Sequence, residues 1–353
     1  MPDLPFQGSP RMRLLDCVAQ CHEPLRLALD RSPSAPFEVS GPSRFAARIA
    51  DCPLRFVLGD DLTRVSAELA FADGARLGGC LDLLRMPASE LWIEWNDAVY
   101  QRVIHETDPT AGVDAAAAGR RVGILLQAAA GGLRAVGRTF WAGAADGHFP
   151  AVIMSPLETH IDLRGGFAEA ADIAAMLSGG LAGVTDCGDA AMASLLDHVR
   201  FRFDESWAAY YRAAATSGDA QGKVVRDSLA AIARDAPFVL AFILLLTAKD
   251  ATRRIPVVRA GINRKRTATG RTPLLDHVEV HACLDALDPE PNGPTIAGRQ
   301  SPRLHHVRGH LVRRDDRVFW RVPHLRGSAC RGMVRSRTVC LSFARRHDGD
   351  ARS

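Results

Sequence analysis

The sequence predicts an α+β protein in three parts: a β-rich N-terminal unit, a helical middle block, and a basic C-terminal α+β unit with a hairpin. Three observations predict it. Residues 36–165 carry short β-prone apolar runs separated by glycine and aspartate, the pattern of strands and turns. Residues 166–250 are rich in alanine, with apolar residues at helical spacing and few breakers. From residue 251 the chain turns basic and strand-like alternation returns.

Taken in order, residues 1–35 read as an irregular lead with one short helix around Met12–Gln20. In "AELAFADGARLGG" the pair Asp73-Gly74 lies between apolar runs and signals a hairpin. "ELWIEW", 90–95, is aromatic and β-prone, with Trp92 and Glu94 on one face and Ile93 and Trp95 on the other. "RVGILLQAAAGGLRAVGRTFW", 121–141, reads as two strands joined near Gly131 and Gly132. The helical block follows in "FAEAADIAAMLSGGLAG", in residues 190–215 and in "KVVRDSLAAIARDA". Asp235 and Pro237 then start a helix over the apolar run 236–248. "GINRKRTATGRTPLL", 261–275, reads as a helix end or loop broken by Gly270 and Pro273. "HVEVHACL" alternates as a strand, and residues 288–302, with four prolines, form a surface linker. Residues 306–313 and 318–324 pair as a hairpin turning at Asp315 and Asp316. The basic unit runs over 251–347, and residues 348–353 are a frayed tail.

Composition bounds the class. The 353 residues, 47% hydrophobic and 24% charged, suit an ordinary globular chain with a sizeable core. The first thirty residues hold no uninterrupted apolar stretch, so no secretory signal is expected. The longest apolar run has thirteen residues, short of the roughly 20 needed to span a bilayer. No membrane association and a cytoplasmic location are expected. The eight cysteines contain no C-x-x-C pair, so reduced thiols are expected. Cys17, Cys21 and His22 approach a metal set but lack a fourth ligand.

Charge placement says more than charge amount. Only three of the 44 basic residues are lysine, a pattern that coding bias also produces, so arginine richness alone carries little weight. Arg253 to Ser353, however, hold 21 Arg and Lys against 9 Asp and Glu. A basic third on an acidic body points to an anionic partner, with nucleic acid the first candidate. The segment His305–Gly327 holds four histidines and six arginines and repeats a phrase, His-Val-Arg-Gly at 306–309 and His-Leu-Arg-Gly at 324–327. Glycine permits close backbone approach to a phosphate, and arginine supplies a bidentate fork. Arg308, Arg313, Arg314, Arg321 and Arg326 are therefore the candidate phosphate contacts, with Trp320 a candidate stacking platform. Arg264, Lys265, Arg266 and Arg271 form a second basic patch, readable also as a solvated charged turn, in which Asn263 caps the chain or meets a base edge.

Alternatives remain open at this level. The hairpin is equally readable as a solvated edge with its aromatics in the core. His305, His306, His310 and His324 offer imidazoles for a metal-dependent hydrolase or nuclease, though their spacing matches no recognised set. No metal site and no cofactor are assigned. Glu94, between two tryptophans, is either an acid-base candidate or a carboxylate paired with an arginine. The sequence holds no Walker loop, dinucleotide glycine fingerprint, G-x-S-x-G elbow or H-E-x-x-H. A structural assembly component is a third class consistent with these features.

The order of three motifs resembles a family of uncharacterised proteins from phages and prophages of proteobacteria. The motifs are Pro87 with Trp92–Trp95, the basic segment Asn263–Leu275, and the hairpin His306–Gly327. The resemblance implies a phage- or mobile-element-related setting, in which nucleic acid is a common partner. It carries no catalytic residue.

Overall fold

The computed structural model describes residues 13–29, 32–107, 119–142, 152–163, 198–214, 229, 232–283, 303–307, 309–326 and 328–333. The chain is α+β and divides into two compact units. The larger comprises residues up to Cys283 together with Leu311–Trp320. The smaller comprises Leu284–His310 and Arg321–Ser353.

The larger unit is organised by one eight-stranded mixed sheet. Its strands are β3 (Leu54–Leu58), β4 (Glu90–Asn96), β5 (Arg121–Ala129), β6 (Arg134–Ala142), β7 (Val152–Asp162), β8 (Val199–Phe203), β9 (Thr252–Val257) and β10 (His277–Ala282). The spatial order is β8-β7-β6-β5-β4-β3-β10-β9. Strand β3 runs parallel to β4 and to β10, and every other pairing is antiparallel. Strands β9 and β10, from the basic third, thus join the same sheet as the N-terminal strands. A separate two-stranded ribbon pairs β1 (Leu25–Leu29) with β2 (Ser32–Val39).

Helices cover both sheet faces, which explains why β4 is buried along nearly its whole length. On one face lie α1 (Leu14–Ala19) and α2 (Ala46–Asp51). There Trp92 packs with Leu14, Phe45, Leu125 and Phe140. Its ring lies over Gly123, where an added Cβ would come within 2.4 Å of Trp92 Cζ2. On the other face lie α3 (Asp60–Phe71), α5 (Asp97–Thr107) and α7 (Asp235–Thr247). Trp95 meets Tyr100 and Phe238 there, with ring centroids 6.1 and 4.9 Å away. The 236–248 run is accordingly a core helix, buried from Asp235 to Leu246. No helix among the described residues is long and apolar enough to cross a membrane.

Two sequence expectations are corrected. The segment around Asp73-Gly74 forms α3 and α4 (Gly74–Gly78) in place of a hairpin. Its buried positions, Leu62, Thr63, Ser66, Ala67, Leu69 and Ala70, recur at helical period. Within 190–215, Val199–Phe203 is the edge strand β8, because "VRFRF" alternates and adds to β7. Helix α6 (Glu205–Ala214) follows it as expected. The turn at Gly131 and Gly132 is found, with φ of 67° and 82°. The readings over 166–197, over the first part of "KVVRDSLAAIARDA", over 288–302 and at the C-terminal tail lie outside the described residues.

Glu94 decides the geometry at the centre. It has no exposure and accepts hydrogen bonds from the Leu14 and Leu15 amides at 3.1 and 3.0 Å. The Arg121 guanidinium on β5 pairs with the same carboxylate. Burial pushes its pKa up, but Arg121 and the two amides outweigh burial and hold it below its ordinary value of 4.5. Glu94 is therefore an ionised tie between sheet and helix, and the pairing with arginine is the reading that holds.

A carboxylate with a depressed folded pKa stabilises the fold above its unfolded pKa and loses that contribution as pH falls through the folded value. Glu94→Gln leaves Arg121 without its countercharge and should cost about 3 kcal/mol at pH 7. Urea unfolding from pH 7 to pH 3 should show the gap to wild type narrowing below the ordinary glutamate range. A gap that stays constant over that range contradicts the ion-pair role.

Candidate functional site

Helix α8 (Ala260–Ala268) has no buried residue. A nine-residue helix is marginal in water unless something holds it, and here the tether is polar. The amide of Arg259 donates to Asp276 Oδ1 at 2.6 Å. Asn263 donates from Nδ2 to Leu274 O and accepts from Leu274 N, both at 2.8 Å. Arg266 Nε donates to Thr272 O at 2.7 Å. Positions 259, 263 and 266 follow the i, i+4, i+7 spacing of one helical face. The returning loop 271–276 is thus laced to that face by three rungs. Gly270, with φ of 69°, makes the reversal between helix and loop.

The loop is itself anchored. Leu274 is buried, and the Leu275 amide donates to Asp16 Oδ1 on α1 at 2.8 Å. Burial raises the Asp16 pKa, against the lowering effect of its bonds to the Leu275 and Arg13 amides. Arg55 Nε donates to Asp276 O at 2.7 Å. Arg13, beside α1, pairs with Glu279 on β10 at 2.8 Å. Asn263 is therefore spent on its own loop: it lies inside the helix and caps neither end, and both polar atoms of its amide meet Leu274.

What α8 leaves outward is basic. Arg264 and Lys265 are exposed, as are Arg253 on the edge strand β9 and Arg271 after the helix. Arg266 is half-buried by its rung. Residues 252–276 contain seven basic side chains and one acidic one, Asp276. Ile255, Val258 and Ile262 stand exposed in the same segment. Composition marked Arg264, Lys265 and Arg266 but missed Arg253, whose signal was the outward position in the edge strand "TRRIPV".

The hairpin residues divide. Strands β12 (His310–Arg314) and β13 (Arg317–Arg321) pair around Asp315 and Asp316, with Asp315 at φ 52°. Arg313 is already engaged, reaching Asp82 Oδ1 and Oδ2 at 2.7 and 2.9 Å and Gly79 O at 2.6 Å. Trp320 is 9% exposed, so its ring lies in the core and offers no stacking face. Arg314 and Arg321 are exposed. In the smaller unit β11 (Arg303–Val307) pairs with β14 (His324–Arg326), placing His305 opposite Arg326 and Val307 opposite His324. It also pairs in parallel with β15 (Ser328–Met333). Arg326 is exposed. Arg308 and the side chains of His306 and His324 lie outside the described residues. Among the described residues no three His, Cys, Asp or Glu groups converge to hold a metal. Cys17 sits in the core, and burial with Glu94 and Asp16 nearby pushes its thiol up to about 12.

Comparison with family models, curated proteins and solved structures finds no match.

Asn263→Ala removes the central rung without touching charge or core. Hydrogen exchange should accelerate across 260–274, while the melting temperature changes by no more than a few degrees. Unchanged exchange there would mean the rungs do not hold the helix.

Proposed function

We propose that this protein binds duplex nucleic acid, non-enzymatically, through the basic surface of β9 and α8, as an accessory protein of the phage or mobile-element type working in the cytoplasm. The observation that carries the reading is a helix that buries nothing of its own yet is laced rigidly to the fold. Such a helix serves what lies outside it. Its outward side chains are cations that form no ion pair among the described residues, Arg264 and Lys265, flanked by Arg253 and Arg271. Phosphate is the complementary partner. Nine residues make a rod roughly 13 Å long, and the duplex major groove, about 12 Å wide, admits a helix. Exposed aliphatics such as Ile262 suit contact with sugars and base methyl groups. No aromatic residue occurs in residues 252–276, which favours duplex over single strands, whose binders use stacking. Arg314, Arg321 and Arg326 add exposed charge in the hairpin region.

The test is a titration with duplex DNA and RNA at several salt concentrations. Three to four phosphate contacts give a log-log slope of about −3, and a loss on the order of a hundredfold between 50 and 200 mM salt. Arg264→Ala with Lys265→Ala should flatten the slope by about two and leave the melting temperature unchanged. Arg313→Ala should barely move it, since that guanidinium already serves Asp82. Binding weaker than roughly 10⁻⁴ M at physiological salt, or a double variant with the wild-type slope, defeats the proposal.

A further inference from the structure

A cleft of about 210 Å³ opens beside strands β5, β6 and β7. Three strands separate β5 from β9 in the sheet, so it is independent of the α8 surface. Phe45, Leu125 and Val136 form an apolar wall, and Arg44 and Arg138 stand over it. A contiguous opening continues past Arg44 and Arg138 to Asp204 and Ser206 at the start of α6.

Arg138 is the unusual element. Its side chain is 9% exposed. Nη2 is fully used, donating to Asp204 Oδ2 at 2.6 Å and to Glu158 Oε1. Nη1 is buried and has no hydrogen-bond partner among the described residues. A buried guanidinium nitrogen without an acceptor is unfavourable, because its desolvation is not repaid, and the cleft that Arg138 lines is the space in which an acceptor can sit. The second oxygens of these two carboxylates are taken by other donors, so neither turns to Nη1. Glu158 Oε2 meets His160 Nε2 at 2.9 Å, and Asp204 Oδ1 accepts from the Ser206 amide at 2.9 Å and from its hydroxyl. Arg48 is paired with Glu90, and Glu205 is exposed at the rim. Arg44 is exposed and spends Nη1 on Ser40 Oγ at 2.6 Å, and the rest of its fork bonds nothing among the described residues. Two guanidiniums with open donors above an apolar wall match an oxyanion on a small organic body.

We propose that this cleft binds a small organic oxyanion, a carboxylate or a phosphate monoester, held between Arg138 Nη1 and Arg44 with its body against Phe45, Leu125 and Val136. Benzoate and phenyl phosphate are the probes, and their two titrations separate the carboxylate source from the phosphate one. Calorimetry on the full chain, against sodium chloride at matched ionic strength, should show at least one of them binding with a stoichiometry of one. Substituting Arg138 endangers the fold, because it strands Glu158 and Asp204. Arg44→Gln is the informative variant: an exposed side chain is changed, and the melting temperature should hold. Binding should weaken about tenfold or more, the loss expected for a hydrogen bond to a charged group. The variant's nucleic-acid salt slope should stay at the wild-type value. Failure of both probes to bind, or equal binding by wild type and Arg44→Gln, overturns the proposal.

Discussion

A charge sealed inside a protein must be paired and hydrogen-bonded, or it neutralises itself. Glu94, on a central strand with no exposure, meets that demand with the Arg121 guanidinium, the Leu14 and Leu15 amides and, at 3.4 Å, the Trp92 indole N–H. The Arg121 guanidinium comes from the adjacent strand. The Leu14 and Leu15 amides come from the first turn of α1, whose unsatisfied donors need an acceptor. The same carboxylate therefore fixes strand β5 against β4 and seats α1 on the sheet. From α1 the constraint passes outward. Asp16 takes the Leu275 amide, Leu274 takes both ends of Asn263, and Asn263 holds α8. The most exposed basic helix is thus connected to the most buried carboxylate by a run of short-range hydrogen bonds. That connection is what makes α8 a fixed surface.

Much of the fold was legible where one periodicity dominates. The β5–β6 hairpin, the strand around Trp92, the core helix after Asp235 and the turn at Asp315 follow their local signals. The misreading at Asp73-Gly74 has a plain cause. A turn dipeptide was weighed above the helical recurrence of Leu62, Ser66 and Leu69 before it. At "VRFRF" the opposite happened, a strand of five residues hidden in a long segment with helical composition. Long-range order was not legible at all. Nothing local says that β10, more than two hundred residues from β3, lies parallel beside it.

For the site, charge location was legible and side-chain availability was not. Arg264 and Lys265 stand free to solvent, whereas Arg313, equal to them in composition, is clasped by Asp82. Trp320 follows the strand's alternation into the core. Asn263 shows the same limit from the other side. Its amide reads as a cap or a base contact in sequence, yet geometry gives both of its polar atoms to Leu274. Arg138 gave no sequence signal, because a single arginine on a strand becomes notable only when its neighbours leave one nitrogen without an acceptor.

The central claim, that α8 is a preformed surface for duplex nucleic acid, is tested most directly by hydrogen exchange of the full chain with and without a saturating 20-base-pair duplex. Slowed exchange is expected over Ala260–Ala268 and the loop to Asp276, with β5 and β6 unchanged. Protection confined to other segments, with α8 exchanging as in the free protein, would contradict it.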